Sequence, residues 1–183
     1  TMASEMYCEK QWFELMKGMD IDESISVQAW NEIFRRYTEN GRFYHTLDHL
    51  EEMLKHSELI HCKISNLHLV KLAVFFHDIV YDPKSKENEE NSGKVYSEFS
   101  SKINQNLNEM KLVEEYILAT KSHKINSNLS TDKDLEIFLD LDLLVLSRER
   151  TDYLNYSRQI RMEYSFVPEE MYCAKRSEVL MSL

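Results

Sequence analysis

A histidine and an aspartate stand side by side in the most apolar part of the sequence. His77 and Asp78 interrupt the stretch Leu67–Tyr81, which reads LHLVKLAVFFHDIVY. Burying an unpaired carboxylate costs several kcal/mol, so Asp78 needs a strong partner. A divalent cation bound by the imidazole and the carboxylate is one such partner. A buried arginine or a helix N-terminus is another, and for an isolated His-Asp pair this structural explanation is the better one.

A second pair of histidines follows the Asn40-Gly41 turn. The segment Arg42–His49 holds His45 and His49, which are four residues apart. We expect Thr46 to cap a helix here, so that both imidazoles project into one cleft from the same helix end. Exposed histidines at a helix N-terminus explain this segment equally well when it is taken alone.

Carboxylates also interrupt a later apolar run. Asp140 and Asp142 stand within Phe138–Val145. On a helix, residues two apart point about 200° away from each other, so only one of them can face a given site. Helical geometry alone does not decide which one. His123 ends another predicted helix, and an interaction with the helix dipole explains it slightly better than a role in a site.

In combination, these groups resemble the HD-domain superfamily of metal-dependent phosphohydrolases, and in particular a group of small predicted HD phosphohydrolases. Six motifs carry the resemblance: RxYHxxxH at Arg42–His49, FHDxxYD at Phe76–Asp82, the Asn88…Ser92 segment, IxATxxH at Ile117–His123, DxDL at Asp140–Leu143, and a Tyr/RxEY stretch at Tyr156…Tyr164. An HD dipeptide by itself is a weak signal. The ordered set indicates the family strongly and the substrate much less so.

The resemblance implies a fold and a set of metal ligands. The fold is all-α, a single compact multi-helix bundle over residues 1–183. Its metal-site core lies at about 42–142, and C-terminal helices at 148–183 pack on that core. The implied ligands of the metal ion are His49, His77, Asp78 and Asp142. Asp142 is chosen over Asp140 because it follows the DxDL pattern of the family.

The roles of His45 and His49 depend on how the motif is aligned. Cyclic-nucleotide phosphodiesterases have a similar YHxxxHA segment, in which the second histidine binds metal and the first protonates the leaving oxygen. That alignment makes His49 a ligand and His45 the proton donor. An RxxH alignment, as in some nucleotide triphosphohydrolases, makes His45 the ligand instead. We prefer the first alignment because it gives both histidines a function.

The implied reaction is hydrolysis of a phosphoester or phosphoanhydride in a small phosphorylated molecule such as a nucleotide. A metal-activated water attacks, with His45 and Asp78 as catalytic residues. The mixed ligand set suits Mn²⁺, Fe²⁺, Co²⁺, Ni²⁺ or Zn²⁺ better than Ca²⁺, and Mg²⁺ is also a candidate. A non-catalytic module that binds a nucleotide or a metal is the alternative, and a helical interaction protein with structural histidines is a third hypothesis.

Other polar residues receive expected roles. Arg42, Lys121 and His123 are candidates for contact with the phosphate of the substrate. Arg161 and Glu163 are expected to form a structural ion pair that joins helices.

The composition favours helices and argues against several classes of partner. The chain of 183 residues has only 3 Gly and 2 Pro, whereas sheets with tight hairpins use both freely. A formal net charge of −10 argues against a nucleic-acid polymer as partner. No apolar run is long enough to predict a membrane partner. Three isolated cysteines predict a reducing compartment, the cytoplasm. The oligomeric state is left open.

Hydrophobic periodicity predicts eight or nine helices. We expect them at about 5–19, 26–37, 46–60, 67–81, 89–103, 108–122, 131–146, 151–164 and 168–181. The helix at 26–37 is expected to bury Val27, Trp30, Ile33 and Phe34. The helix at 67–81 is expected to be central and to end at Asp82-Pro83, because the residue before proline avoids helical geometry. His77 and Asp78 would then lie within a helix.

Overall fold

The computed structural model describes residues 1–124 and 132–182, and within these ranges the chain forms α-helices and no strand. In chain order the helices are α1 (Met2–Gly18), α2 (Glu23–Tyr37), α3 (Leu47–Leu59), α4 (Leu67–Phe76), α5 (Asn88–Lys102), α6 (Leu107–Ala119), α7 (Lys133–Asp142), α8 (Arg150–Glu163) and α9 (Glu169–Ser182). The predicted all-α class is confirmed. None of these helices is long and apolar enough to cross a membrane.

Helix α4 is the centre of the hydrophobic core. It contacts α3, α5, α6 and α7, and Leu69, Val70, Leu72, Ala73, Val74, Phe75 and Phe76 are all buried. Trp12 of α1 packs edge-on against Phe75, with ring centroids 5.1 Å apart. The Trp12 Nε1–H donates a hydrogen bond of 2.9 Å to the Ser26 carbonyl, which satisfies the polar end of this buried ring. The predicted central position of this helix is therefore confirmed.

The end of α4 was predicted wrongly. The helix ends at Phe76, His77 is its C-cap, and the chain turns before Tyr81. Arg42 provides the physical reason, because its guanidinium donates hydrogen bonds of 2.7 Å to the Asp78 carbonyl and 3.0 Å to the Ile79 carbonyl. These carbonyls lie beyond the helix and would otherwise lack partners. His77 and Asp78 consequently sit at a helix end and not inside a helix.

The buried face of α2 differs from the prediction at one position. Trp30 and Ile33 are buried as expected and Phe34 is partly buried, but 40% of the Val27 surface is exposed. The buried residues of the helix are Ser26, Trp30, Ile33 and Tyr37. Their spacing of three or four residues defines one stripe, and Val27 lies beside it.

Helix α7 is shorter than the predicted 131–146. Thr131 lies outside the described residues, and the helix begins at Lys133 after the N-cap Asp132. It ends at Asp142, and Leu144–Ser147 forms a separate 3₁₀ segment. The continuous helix to residue 146 was therefore a wrong prediction, and Asp142 is placed at a helix end.

The start of α7 is tied to the start of α4 by a buried carboxylate. The Asp134 oxygens accept backbone N–H hydrogen bonds of 2.8 Å from Ser65 and 2.7 Å from Asn66. Only 3% of the Asp134 surface is exposed. This contact holds the two helices that carry His77 and Asp142 in one relative position.

The C-terminal helices pack through a second, smaller apolar cluster. Tyr156 and Ile160 of α8 join Tyr44 and Val145 there. Tyr44 precedes α3 in the chain, so this cluster brings α8 next to the histidines of that segment.

We predict that Asp134→Ala lowers the free energy of unfolding by about 1–3 kcal/mol, because two partly buried N–H groups lose their acceptor. Urea denaturation followed by circular dichroism measures this loss. Asp140→Ala is the matched control, since Asp140 is exposed on the same helix and should change stability by less than about 0.5 kcal/mol. Equal losses in the two variants would contradict the role given to Asp134.

Candidate metal centre

Three helix ends meet at one edge of the core. His49 lies in the first turn of α3, whose N-cap is Thr46, with the Thr46 hydroxyl accepting from the Asp48 N–H at 3.3 Å. The predicted cap is thereby confirmed. His77 follows the last turn of α4, and Asp142 closes α7. Short rigid helices thus bring residues that are far apart in sequence to one point.

The four predicted ligand residues lie together in the structure. His49 Nε2 is 3.3 Å from His77 Nε2 and 3.1 Å from Asp142 Oδ1. Asp78 Oδ2 is 3.0 Å from His77 Nε2. The ligand atoms of His49, His77 and Asp78 all lie within 4.8 Å of one another. We call these three residues and Asp142 the donor cluster.

The chemistry of the donor cluster fits a cation. His77 Nδ1 lies 2.8 Å from the Val74 carbonyl oxygen, which can only accept, so Nδ1 carries a proton. In the neutral ring, Nε2 then directs a lone pair at the oxygens of Asp78 and Asp142. An arrangement of lone pairs aimed at one point is unfavourable unless a positive charge lies there.

The pKa values of His77 and Asp78 reflect the same need for a positive charge in the donor cluster. Burial lowers the pKa of the His77 imidazole, but the Asp78 and Asp142 carboxylates outweigh burial and hold that pKa well above its ordinary value. Burial raises the pKa of Asp78, and His77 and His45 reverse the shift and hold it below its ordinary value. Two ionised carboxylates in a buried cluster need a compensating positive charge, which a proton or a divalent cation supplies.

The choice between Asp140 and Asp142 follows from their positions on α7. Asp140 is exposed, whereas Asp142 points into the donor cluster. The other oxygen of Asp142, Oδ2, lies 2.8 Å from His123 Nε2. His123, predicted to contact substrate, is thus placed where it orients the Asp142 carboxylate. Such partners of ligating carboxylates fix their direction.

Two further residues predicted to bind phosphate are engaged elsewhere. Arg42 is buried, and its N–H groups are directed at backbone carbonyls, so its predicted contact with phosphate is not supported by its position. Lys121 lines the cleft but donates to Glu90 and to the Lys86 carbonyl. Because Glu90 offsets its charge, Lys121 is a weak attractor for a phosphate.

His45 pairs with Glu163, the carboxylate for which the sequence predicted an ion pair with Arg161. His45 Nδ1 lies 2.7 Å from Glu163 Oε2, and Glu163 Oε1 accepts the backbone N–H groups of Phe43, Tyr44 and His45 at 2.8, 2.8 and 3.1 Å. The Tyr81 hydroxyl donates to Glu163 Oε2 at 2.8 Å. Burial raises the Glu163 pKa, but His45 and the N–H groups outweigh it and lower that pKa to about 2.

The predicted ion pair between Arg161 and Glu163 was wrong. Arg161 donates to the carbonyl oxygens of Tyr164 and Val167 instead. The sequence did contain a signal for the position of Glu163, because Tyr156, Ile160 and Glu163 recur at helical spacing. These three residues are the buried face of α8. A carboxylate on an apolar stripe indicates a specific partner.

The donor cluster opens onto a cleft with a volume of about 640 Å³. His45, Asp78, His123 and Asp142 line it, together with the tyrosines Tyr44, Tyr81, Tyr156 and Tyr164. His45 stacks on Tyr81, with ring centroids 4.0 Å apart. The cleft has the size of a small-molecule site.

Comparison with known families decides the classification. The HD domain family model matches residues 46–156, which is more than half of the chain. The chain belongs to the HD-domain family. HD domains form a superfamily of metal-dependent phosphohydrolases. The matched range contains the whole donor cluster. His45 and Glu163 of this HD-domain protein lie just outside that range. No curated protein and no solved structure gave a match.

We predict that Asp142→Ala releases most of the metal bound to protein purified without chelator, whereas Asp140→Ala leaves the metal content unchanged. Asp142 provides an oxygen to the donor cluster and Asp140 faces solvent. Elemental analysis of the two variants beside the wild type measures the difference. Equal metal content in all three proteins would place the ion elsewhere.

Proposed function

We propose that this HD-domain protein is a metal-dependent hydrolase of a phosphoester or phosphoanhydride in a small phosphorylated molecule such as a nucleotide. The observation that carries the proposal is the position of the donor cluster. It faces a cleft lined by His45, whose Nε2 lies 3.9 Å from Asp78 Oδ2 and whose Nδ1 pairs with the buried carboxylate of Glu163.

His49, His77, Asp78 and Asp142 would hold the ion. When bound, a divalent cation supplies Lewis acidity that activates water and offsets charge on a phosphoryl group. Two imidazoles with two carboxylates suit Mn²⁺, Fe²⁺, Co²⁺, Ni²⁺ or Zn²⁺, and Mg²⁺ stays among the candidates. Asp78 has a second role, because its Oδ2 lies 3.0 Å from His77 Nε2 and 3.9 Å from His45 Nε2. From there it accepts a hydrogen bond from the attacking water and orients it.

His45 acts as the proton donor to the leaving oxygen. Glu163 accepts the Nδ1–H of His45, which directs Nε2 toward Asp78 and the cleft. Burial lowers the His45 pKa, but Asp78 and Glu163 outweigh it and raise that pKa above its ordinary value. A raised pKa favours the protonated imidazole, which is the form a general acid requires. Its stacking on Tyr81 restricts the ring further.

The test of this function is a screen of nucleotides and phosphomonoesters with each divalent ion in turn, using wild type and Asp78→Ala. We expect ion-dependent release of phosphate or a nucleotide product by the wild type and none by the variant. Thermal melts of both proteins in chelator should nearly coincide, because chelator removes the ion from both and the variant then retains no buried cation whose partner was Asp78.

Two results would oppose the proposal. One is a wild type that binds metal and turns over no compound, which would favour the binding module. The other is a large fall in the melting temperature of Asp78→Ala in chelator. That fall would indicate a structural ion pair, whose loss costs about 3–5 kcal/mol.

His45→Ala should keep the metal and lose roughly a hundred- to ten-thousandfold in kcat, because no group protonates the leaving oxygen. The loss should be smallest for activated aryl phosphates, whose leaving groups need little protonation. Steady-state kinetics over a series of leaving groups, with metal content measured in parallel, checks this. Departure of the metal with the imidazole would make His45 a ligand instead.

Glu163→Gln is the companion variant to His45→Ala. Glutamine can still accept the three backbone N–H groups but leaves His45 less strongly charged and oriented. We expect a smaller loss in kcat with the same dependence on the leaving group. A loss that is uniform over the series would contradict action through His45.

A further inference from the structure

Helix α9 presents an arginine to the body of the protein where an apolar residue would be expected. Tyr172, Arg176 and Leu180 are the residues of α9 that are partly buried, and the rest of the helix is exposed. Their spacing of four residues places them on one inward stripe. A charged side chain in the middle of an inward-facing stripe is costly to bury unless it has a specific partner.

Arg176 is held over a tyrosine of the cleft wall. Its guanidinium carbon lies 5.3 Å from the centroid of the Tyr156 ring, and its Nη2 donates to the Tyr156 hydroxyl. Within residues 1–124 and 132–182, no carboxylate oxygen lies within 4.0 Å of the guanidinium nitrogens. A guanidinium has five N–H donors, so it retains capacity for an anion. This contrasts with Lys121 in the same cleft, which pairs with Glu90.

Arg176 and the donor cluster lie in the same cleft but do not touch. Arg176 and two members of the donor cluster, Asp78 and Asp142, line the cavity of about 640 Å³, and two tyrosine rings connect Arg176 to the cluster. Tyr156 lies under Arg176, and its ring centroid is 4.6 Å from that of Tyr44. Tyr44 in turn packs on His49 with ring centroids 4.8 Å apart. Arg176 is thus on the far side of a tyrosine pair from the group that is hydrolysed.

We propose that Arg176 is an anion-binding subsite for a second phosphate or carboxylate group of the substrate, beyond the phosphoryl group that is cleaved. This inference rests on the proposed hydrolase function. The planar guanidinium fork matches both anions through two parallel hydrogen bonds. The tyrosine pair between Arg176 and the donor cluster provides a surface for the part of the substrate that joins the two anionic groups. Preferred substrates therefore carry anionic groups at both ends.

The experiment compares pairs of substrates that differ by one anionic group. A nucleoside 5′-monophosphate is compared with its 3′,5′-bisphosphate, and glycerol 3-phosphate with 3-phosphoglycerate, on metal-loaded protein. For at least one pair, kcat/KM of the wild type should be roughly ten- to hundredfold higher for the doubly anionic member. Arg176→Gln should abolish that preference, and Arg176→Lys should keep part of it. A preference within the nucleotide pair indicates that Arg176 binds a phosphate, and a preference within the glycerate pair indicates that it binds a carboxylate.

Lys175→Gln is the matched control. Lys175 neighbours Arg176 on α9, is exposed, and pairs with Glu178 outside the cleft. The same charge change there should leave the preference intact. The proposal is overturned if the wild type shows no preference in either pair, or if Arg176→Gln retains it. It is also overturned if that variant loses activity equally on both members of a pair with a lower melting temperature, since Arg176 would then only fasten α9.

Calorimetry separates failure of this inference from failure of the hydrolase proposal. If no compound is turned over, titration of the metal-loaded protein with the nucleoside monophosphate and bisphosphate still tests Arg176. Tighter binding of the bisphosphate by wild type and Lys175→Gln, lost in Arg176→Gln, would support the subsite in a protein that binds without hydrolysis. If each of the three proteins binds the monophosphate and the bisphosphate with equal affinity, the anion-binding subsite at Arg176 is ruled out.

Discussion

The structure depends on a local excess of negative charge and lone pairs that a proton or a divalent cation must balance. His49, His77, Asp78 and Asp142 direct their donor atoms at one another over distances of about 3 Å. Among themselves they have no favourable neutral arrangement. A fold that brings them together must therefore hold them by other means, through helix ends whose positions are fixed by the core. The apolar residues of α4 perform that task and leave His77 at the edge.

Contacts that never reach the substrate fix the ends of these helices. Arg42 satisfies the carbonyls that follow α4, and Asp134 joins the start of α7 to the start of α4. A cavity or an unsatisfied group at either place would move a member of the donor cluster, because its four residues lie at a helix terminus or within two residues of one. Arg42, a charged residue that the sequence offers for phosphate binding, thus donates to backbone carbonyls instead. In the proposed function, the ion and other cations would attract the phosphate.

The helical class and the central helix could be predicted from hydrophobic periodicity. The Thr46 cap and the grouping of the four donor residues could be predicted from short motifs. It did not reveal where α4 ends. The stretch Leu67–Tyr81 is apolar throughout, and the interruption comes from Arg42, a distant residue. The partner of Glu163 was missed for the same reason: its contact with His45 spans 118 positions. Local patterns carry no information about such pairings. Helical geometry alone left Asp140 and Asp142 open, and the choice of Asp142 came from the resemblance to the family's DxDL pattern.

The contact between Glu163 and residues 43–45 has a consequence for protein synthesis. All four members of the donor cluster have left the ribosome once residue 142 has cleared the exit tunnel, whereas Glu163 follows later. A nascent chain at that stage holds the whole donor cluster in its sequence, but Glu163, the protein acceptor of the three consecutive N–H groups of segment 43–45, is still missing. His45 acquires a fixed direction only when α8 docks. The donor cluster and the contact between Glu163 and His45 therefore become complete at separate stages of synthesis, in that order.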